Sequence, residues 1–270
     1  MQAHLVQLDI AWEDKPANHA RVRELLGSVR TQPGDLILLP EMFDTGFSFN
    51  VDQTHDANDR TLRFLTTLAR DLGAFVQGGR TRLGSTGKGR NAAPIIDPGG
   101  RILDEYEKIH PFSFGGEPQR FERGSKLHTW RWRTNQDHLT VCPAICYDLR
   151  FPELFRRGLL MGAEVFTIGA NWPQARQEHW RALLIARAIE NQAYVLGVNR
   201  TGSDPHLRYA GGTIAVDPLG RVVGELDETE AVLTVQVQPD RIRSWRKRFP
   251  ARQDIRLLPP PSDSPSSSGT

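Results

Sequence analysis

Over the first third of the chain, short apolar runs alternate with stretches whose apolar residues recur at helical spacing, and few architectures accommodate that alternation. Val6, Leu8 and Ile10 alternate with Gln7 and Asp9, as in a half-buried strand. Val22, Leu25, Leu26 and Val29 fall on one helical face, and Pro16 suits the first turn of that helix. The unbroken run Leu36, Ile37, Leu38, Leu39 after Pro33-Gly34 reads as a strand buried on both faces. Leu62, Leu65, Leu68, Ala69 and Leu72 make a second helical face that stops at Gly73, and residues 74–78 return as a strand. This order predicts an α/β chain with layered sheets.

The middle of the chain turns to hairpins. Residues 93–97 and 101–107 flank Pro98-Gly99-Gly100, a tight-turn signal. Asp97-Pro98-Gly99-Gly100-Arg101 is matched by Asp217-Pro218-Leu219-Gly220-Arg221 further on. With a helix pair and a strand pair in each half, the repeat predicts two similar α/β halves joined face to face. Two sheets would then pack on each other with helices outside. Downstream, residues 151–161 form a helix opened by Pro152, and residues 165–168 a strand. Trp180, Leu183, Leu184, Ala188 and Ile189 give an apolar helix before a strand at 194–198.

A chain of 270 residues is near the upper size for one hydrophobic core, so residues 1–258 are expected to form a single domain. The Pro- and Ser-rich residues 259–270 have nothing apolar to bury and are expected to be a disordered tail. Lys and Arg number 34 against 32 Asp and Glu, too even a balance for a nucleic-acid or membrane-surface role of the whole chain. No run of 18 apolar residues occurs, which excludes a spanning helix. The first residues read as a strand, with no signal-peptide pattern. Only Cys142 and Cys146 occur, so no disulfide framework is present, and a cytoplasmic protein is expected.

Cys146 sits where an apolar strand (Leu139, Val141, Ile145) gives way to a turn and the Pro152 helix. At such a place backbone N–H groups and the helix dipole are expected to lower the thiol pKa, and the same groups can stabilise an oxyanion. Cys142, mid-strand beside Pro143, reads as structural. Glu41 follows the run ending at Leu39, and a carboxylate aimed into an apolar cleft is expected to titrate high and act as a base. Lys108 closes the strand of residues 101–107 and can hold a developing negative oxygen. Either residue alone is more often a solvated strand end. Three such residues at three strand ends, each beside Pro and Phe, point to one ligand site.

LPEMF around Glu41, YEKIHPF around Lys108 and CYDLRFPELF around Cys146, in this order, resemble the three motifs of the nitrilase, or carbon–nitrogen hydrolase, superfamily. Agreement runs from the first strand to about Phe249. The resemblance implies an α-β-β-α sandwich of four layers. It also implies Glu41 as general base, Cys146 as nucleophile, and Lys108 with the Tyr147 N–H as oxyanion donors. Glu117, in Phe114-Gly115-Gly116-Glu117, matches a second glutamate that orients the lysine and the water. A homodimer without cofactor follows from the same likeness.

ENQAY after RAI, and ANWP followed by Arg176 and His179-Trp180, look most like the bacterial ω-amidases. Those enzymes release ammonia from 2-oxoglutaramate or 2-oxosuccinamate. The carboxylate of such a substrate needs a cation, for which Arg176 is the candidate. Arg150 is the alternative, unless it pairs with Glu153 or Asp148. Phe43 and Trp172 are expected to wall the pocket. The runner-up is another small-amide or carbamoyl hydrolase of the superfamily.

Other signals carry less. Gly84-Ser85-Thr86-Gly87-Lys88-Gly89 resembles a phosphate loop, but position 82 is Arg and Lys88 is followed by Gly. None of the eight histidines has zinc-ligand spacing, so no metal is expected. His110 and His179 would be the partners of Cys146 in a papain-like pair. Residues 241–256 hold seven basic residues against Asp254, which raises a nucleic-acid or anion-binding alternative. The spacing of Ile242, Trp245 and Phe249 favours instead a helix packed on the core.

Overall fold

The computed structural model describes residues 1–257; the expected tail at 259–270 lies outside the described residues. The first half runs β1 (Gln2–Gln7), α1 (Lys15–Gly27), β2 (Leu36–Leu38), α2 (Val51–Thr54), α3 (Arg60–Leu72), β3 (Phe75–Gln77), β4 (Arg80–Leu83), β5 (Gly89–Ile96) and β6 (Ile102–Glu107). A link carries α4 (Glu117–Arg120) and β7 (Phe121–Glu122). Next come β8 (Trp130–Arg133), β9 (His138–Ile145), α5 (Pro152–Leu160), β10 (Val165–Ala170), α6 (Gln177–Asn191) and β11 (Tyr194–Asn199). The chain closes with β12 (Thr201–Ser203), β13 (Arg208–Ala210), β14 (Ile214–Val216), β15 (Val222–Glu225), β16 (Ala231–Gln236) and α7 (Pro239–Arg248).

Two sheets share one plan. In the first, β1, β2 and β3 are parallel neighbours, with β16 antiparallel to β1 and β5 antiparallel to β3. β6 then pairs antiparallel with β5. In the second, β9, β10 and β11 are parallel, β8 is antiparallel to β9, and β14 and β15 follow antiparallel beyond β11. The orders β16-β1-β2-β3-β5-β6 and β8-β9-β10-β11-β14-β15 therefore repeat the same succession of pairings. The matched turns close corresponding hairpins in the same way. Asp97 N–H donates to the Arg101 carbonyl at 2.9 Å, as Asp217 N–H does to Arg221 at 2.9 Å. Each aspartate also accepts from the N–H groups two and four residues on. Gly100 and Gly220 sit at φ +77° and +81°, which explains a glycine at that place in both copies.

Three apolar interfaces separate four layers. Leu5, Leu36, Leu38, Trp132, Val141, Leu196 and Val198 fill the space between the sheets. Val6, Ile37 and Leu39 face the other way, onto Val22 and Leu26 of α1 and Leu65 and Leu68 of α3. On the far side, Phe166, Ile168 and Val195 meet Leu154 and Phe155 of α5 and Trp180, Leu184 and Ala188 of α6. The run of residues 36–39 is unbroken because consecutive side chains enter two different buried interfaces. The result is the α-β-β-α sandwich. Among the described residues no helix is long and apolar enough to cross a membrane.

The basic segment is largely engaged within the molecule. α7 buries Ile242 completely, Arg243 Nη1 donates to Asp137 at 2.8 Å, and Arg246 donates to the carbonyls of Ala163 and Gln192 at 2.6 and 3.0 Å. Phe249 departs from its expected place in the core. The helix ends at Arg248, and the Phe249 ring lies 5.4 Å from that of Trp245 while remaining 55% exposed.

The inter-sheet interface sets a stability test. Leu196→Ala, at a fully buried position between the sheets, is expected to cost about 2–5 kcal/mol in chemical denaturation. Leu83→Ala, at a half-exposed one, is expected to stay within about 0.5 kcal/mol of the parent.

Candidate active site

Both sheets deliver polar side chains to one rim of the sandwich. Glu41 stands in the turn after β2, Lys108 directly after β6, Glu117 at the start of α4, Cys146 directly after β9 and Asn171 directly after β10. Glu41 and Lys108 are 1% exposed and Glu117 0%. Lys108 Nζ donates to Glu41 Oε1 at 2.9 Å and to Glu117 Oε2 at 2.8 Å. Asn91 Nδ2 donates to Glu41 Oε1 at 2.7 Å and to Glu117 Oε1 at 3.1 Å. The Asn171 N–H reaches Glu41 Oε2 at 3.0 Å, and the Phe112 N–H donates to Glu117 Oε2. The Cys146 thiol lies against Glu41 and the Asn171 backbone N–H. Carboxylate, ammonium and sulfur thus meet in one place.

Charge balance corrects two expectations. Burial pushes Glu41 upward, but Lys108 and the donors Asn91 and Asn171 outweigh it, so its carboxyl is held below the usual range rather than raised. Burial pushes Glu117 up, and Glu41 adds to that, so the two carboxyls are driven apart. Lys108 is kept firmly protonated, because Glu117 and Glu41 overcome its burial. Burial and the neighbouring Glu41 charge raise Cys146 well above an ordinary thiol, against the opposing pull of Lys108. The expected thiolate-favouring helix terminus is too far away. A 3₁₀ turn over Cys146–Arg150 intervenes, and α5 starts only at Pro152.

Cys146 has φ +44°, a left-handed conformation that turns its side chain out of the strand line. Asp148 holds this turn. It is fully buried and accepts from the Ile145 N–H at 3.0 Å, the Tyr106 hydroxyl at 2.7 Å and the His110 N–H at 2.9 Å. The His110 ring also contacts Asp148 at 2.8 Å and stacks on Phe151. His179 meets Arg150 instead, so the thiol faces a carboxylate and not an imidazole. Among the described residues no group of three His, Cys, Asp or Glu side chains is placed to hold a metal ion. Cys142 is buried under α5, where its sulfur packs beside Gly158.

A narrow cavity opens from Glu41, Lys108 and Cys146. Phe47, Phe112, Tyr147, Arg150, Trp172, Arg176, Leu207 and Tyr209 line it. Phe43, expected in this wall, lies elsewhere. It is fully buried on the helix side of the first sheet with His19 and Phe64, and Phe47 and Phe112 take the place foreseen for it. Met42, at φ +43°, turns the chain at that point. Arg150 stacks on Trp172 at 4.8 Å and reaches His179 at 3.3 Å, with no pairing to Glu153 or Asp148. Arg176 lies 5.6 Å from the Phe112 ring centre. Asn91 and Asp148 carried no signal of their own in sequence. Each is a short polar residue with partners from distant stretches of chain, Glu41 and Glu117 for Asn91 and Tyr106 and His110 for Asp148.

Comparison with known proteins agrees with this fold. The carbon–nitrogen hydrolase family profile matches residues 2–247. The chain is 33% identical over 253 residues to the 2-oxoglutaramate amidase of Bacillus subtilis, covering 93% of this chain and 96% of that one. It is 34% identical to the omega-amidase YafV of Escherichia coli K12, covering 93% and 94%. Among solved structures it resembles XC1258 of Xanthomonas campestris, a CN-hydrolase superfamily protein carrying an arsenic adduct in its active site. The TM-score is 0.89 at 33% identity, over 96% of this chain and 98% of the other.

The packing beneath Glu41 is tight enough to test. A Cβ on Gly79 would stand 2.3 Å from Met42 N and 2.8 Å from the Glu41 Cα. Gly79→Ala is therefore expected to displace Glu41 and lower amide turnover by about a hundredfold or more, with far-UV circular dichroism unchanged.

Proposed function

The chain belongs to the carbon–nitrogen hydrolase family, and on that premise we propose that it hydrolyses the terminal amide of a small 2-oxo acid, such as 2-oxoglutaramate or 2-oxosuccinamate. Glu41, the ionised carboxylate beside the thiol, takes the Cys146 proton as the sulfur attacks the amide carbon. The oxyanion forms against Lys108 Nζ and the Tyr147 N–H. Collapse breaks the C–N bond, and ammonia leaves with the proton from Glu41. Water then attacks the thioester and gives its proton to Glu41, aided by Glu117. The thiol is released with that proton, and the product is the 2-oxo dicarboxylate.

The observation that carries this reading is the buried Lys108 held between Glu41 and Glu117 and lining a cavity that also receives two arginines. Arg150 and Arg176 lie against aromatic rings; the Arg176 guanidinium edge, and the Arg150 donors besides the one that reaches His179, face a carboxylate in this reading. The names of the two amidase relatives support the same substrate class. Trp172 and Phe47 would wall the carbon chain. We further propose a cytoplasmic homodimer. Exposed Ile189 beside the turn of Gly220, with exposed Leu219, supplies an apolar patch for the contact.

Cys146→Ala is expected to abolish turnover with an unchanged melting midpoint, while Cys142→Ala keeps most activity. Equal turnover in the parent and Cys146→Ala would overturn the mechanism. Arg176→Met is expected to raise KM for 2-oxoglutaramate about 10- to 100-fold while leaving propionamide, which has no carboxylate, unaffected. Arg150→Met in the same assay decides which arginine dominates. Better turnover of N-carbamoyl compounds or neutral amides than of 2-oxo ω-amides would replace the substrate assignment.

A further inference from the structure

The polar cluster contains a neutral member that no motif marks. Asn91 lies on β5, is 2% exposed, and stands opposite Thr81 of β4. Its Nδ2 donates to both carboxylates, and its backbone carbonyl accepts the Lys108 N–H at 2.9 Å. Its Oδ1 is buried without a hydrogen-bond partner. The orientation is nonetheless dictated, because the flipped amide would turn its carbonyl onto two carboxylates. A buried acceptor is left unsatisfied so that the NH₂ group can face Glu41 and Glu117.

Two carboxylates at one ammonium tend to share a proton, since burial and mutual repulsion both favour protonation. The contacts of Glu117 oppose this, for Lys108, Asn91 and the Phe112 N–H are all donors. The same holds for Glu41, with Lys108, Asn91 and the Asn171 N–H. Lys108 and Asn91 bridge the two carboxylates side by side, one charged and one neutral.

We propose that Asn91 is a positioning residue, whose NH₂ group bridges Glu41 and Glu117 and keeps the cluster from taking up a proton, so that Glu41 stays competent to activate Cys146. This rests on the reading of Glu41 as the base. The titratable groups facing the pair are Lys108 from the end of β6 and Cys146 from the turn after β9, with Tyr209 near the sulfur. On β4, Thr81 is uncharged and Arg80 is engaged by Asp56, Asp59 and Glu105. Arg150 and Arg176 line the cavity beyond.

Asn91→Leu removes the donors at similar volume, and Asn91→Asp keeps the shape while replacing the donor group with a third carboxyl. The pH dependence of kcat/KM and of Cys146 alkylation by iodoacetamide is measured for both and for the parent. With the donor gone, both carboxyls titrate higher, so the acid limb of each profile is expected to move up by about one to two pH units for Asn91→Leu. Asn91→Asp is expected to move it further in the same direction. Activity well above the limb should return to within about tenfold of the parent.

A residue that only supports the fold would lower both rates at every pH with the midpoint unmoved, and that result overturns the proposal. Should Asn91→Leu fail to fold, the isosteric Asn91→Asp decides alone. Glu41→Gln separates the two layers of the argument. If it is inactive and the limb is unmoved in the Asn91 variants, only the role of Asn91 falls. Undiminished turnover in Glu41→Gln overturns both.

Discussion

One ammonium taken out of water between two carboxylates is the constraint around which this molecule is organised. Removing such charges from solvent costs several kcal/mol each unless every one is paired and hydrogen-bonded. Here Lys108 has two carboxylate partners, and each carboxylate has donors besides the lysine. Those donors come from β5, from the residue after β10 and from the loop before α4. The register of strands in both sheets must therefore be right at once, because a slip of one residue turns every side chain to the opposite face. The site spans the two sheets, so the apolar layer between them also sets the geometry of the polar cluster.

Within that frame the sulfur is held in reserve. Burial and Glu41 keep the proton on Cys146, while Lys108 and the Asn171 N–H keep Glu41 ionised. A protonated thiol is a poor nucleophile toward stray electrophiles. It becomes a good one when a bound carbonyl lets the negative charge move toward Lys108. The left-handed turn at Cys146 is a strained conformation, and Asp148 with its three donor partners holds it in place.

Much of this was legible in the amino acids. Helical spacing marked α1, α3 and α6, the unbroken run at 36–39 marked a strand between two buried interfaces, and the matched Asp-Pro turns announced the duplicated plan. Glu41, Lys108 and Cys146 stood out because each follows a strand and stands near Pro and Phe. Asn91 and Asp148 did not, since a short polar residue in a strand or turn is defined by partners dozens of residues away. The direction of titration at Glu41 and Cys146 was likewise hidden. It depends on whether burial or a neighbouring charge prevails, which only proximity decides. Phe43 was misplaced for a geometric reason: the backbone turn at Met42 sends it back to the helix layer and leaves Phe47 for the cavity.

The pairing of β1 with β16, from Gln2 with Gln236 to Gln7 with Ala231, has a consequence for how the chain is made. During synthesis the first strand emerges early, yet its neighbour on one side leaves the ribosome more than 200 residues later. Until then β1 presents an open row of backbone donors and acceptors, the kind of edge that recruits strands from other nascent chains. Closing the sheet on that side is a long-range event, of the kind whose loop-closure cost comes before its contacts repay it. Until β16 is in place, that open edge is where wrong pairing has its opportunity.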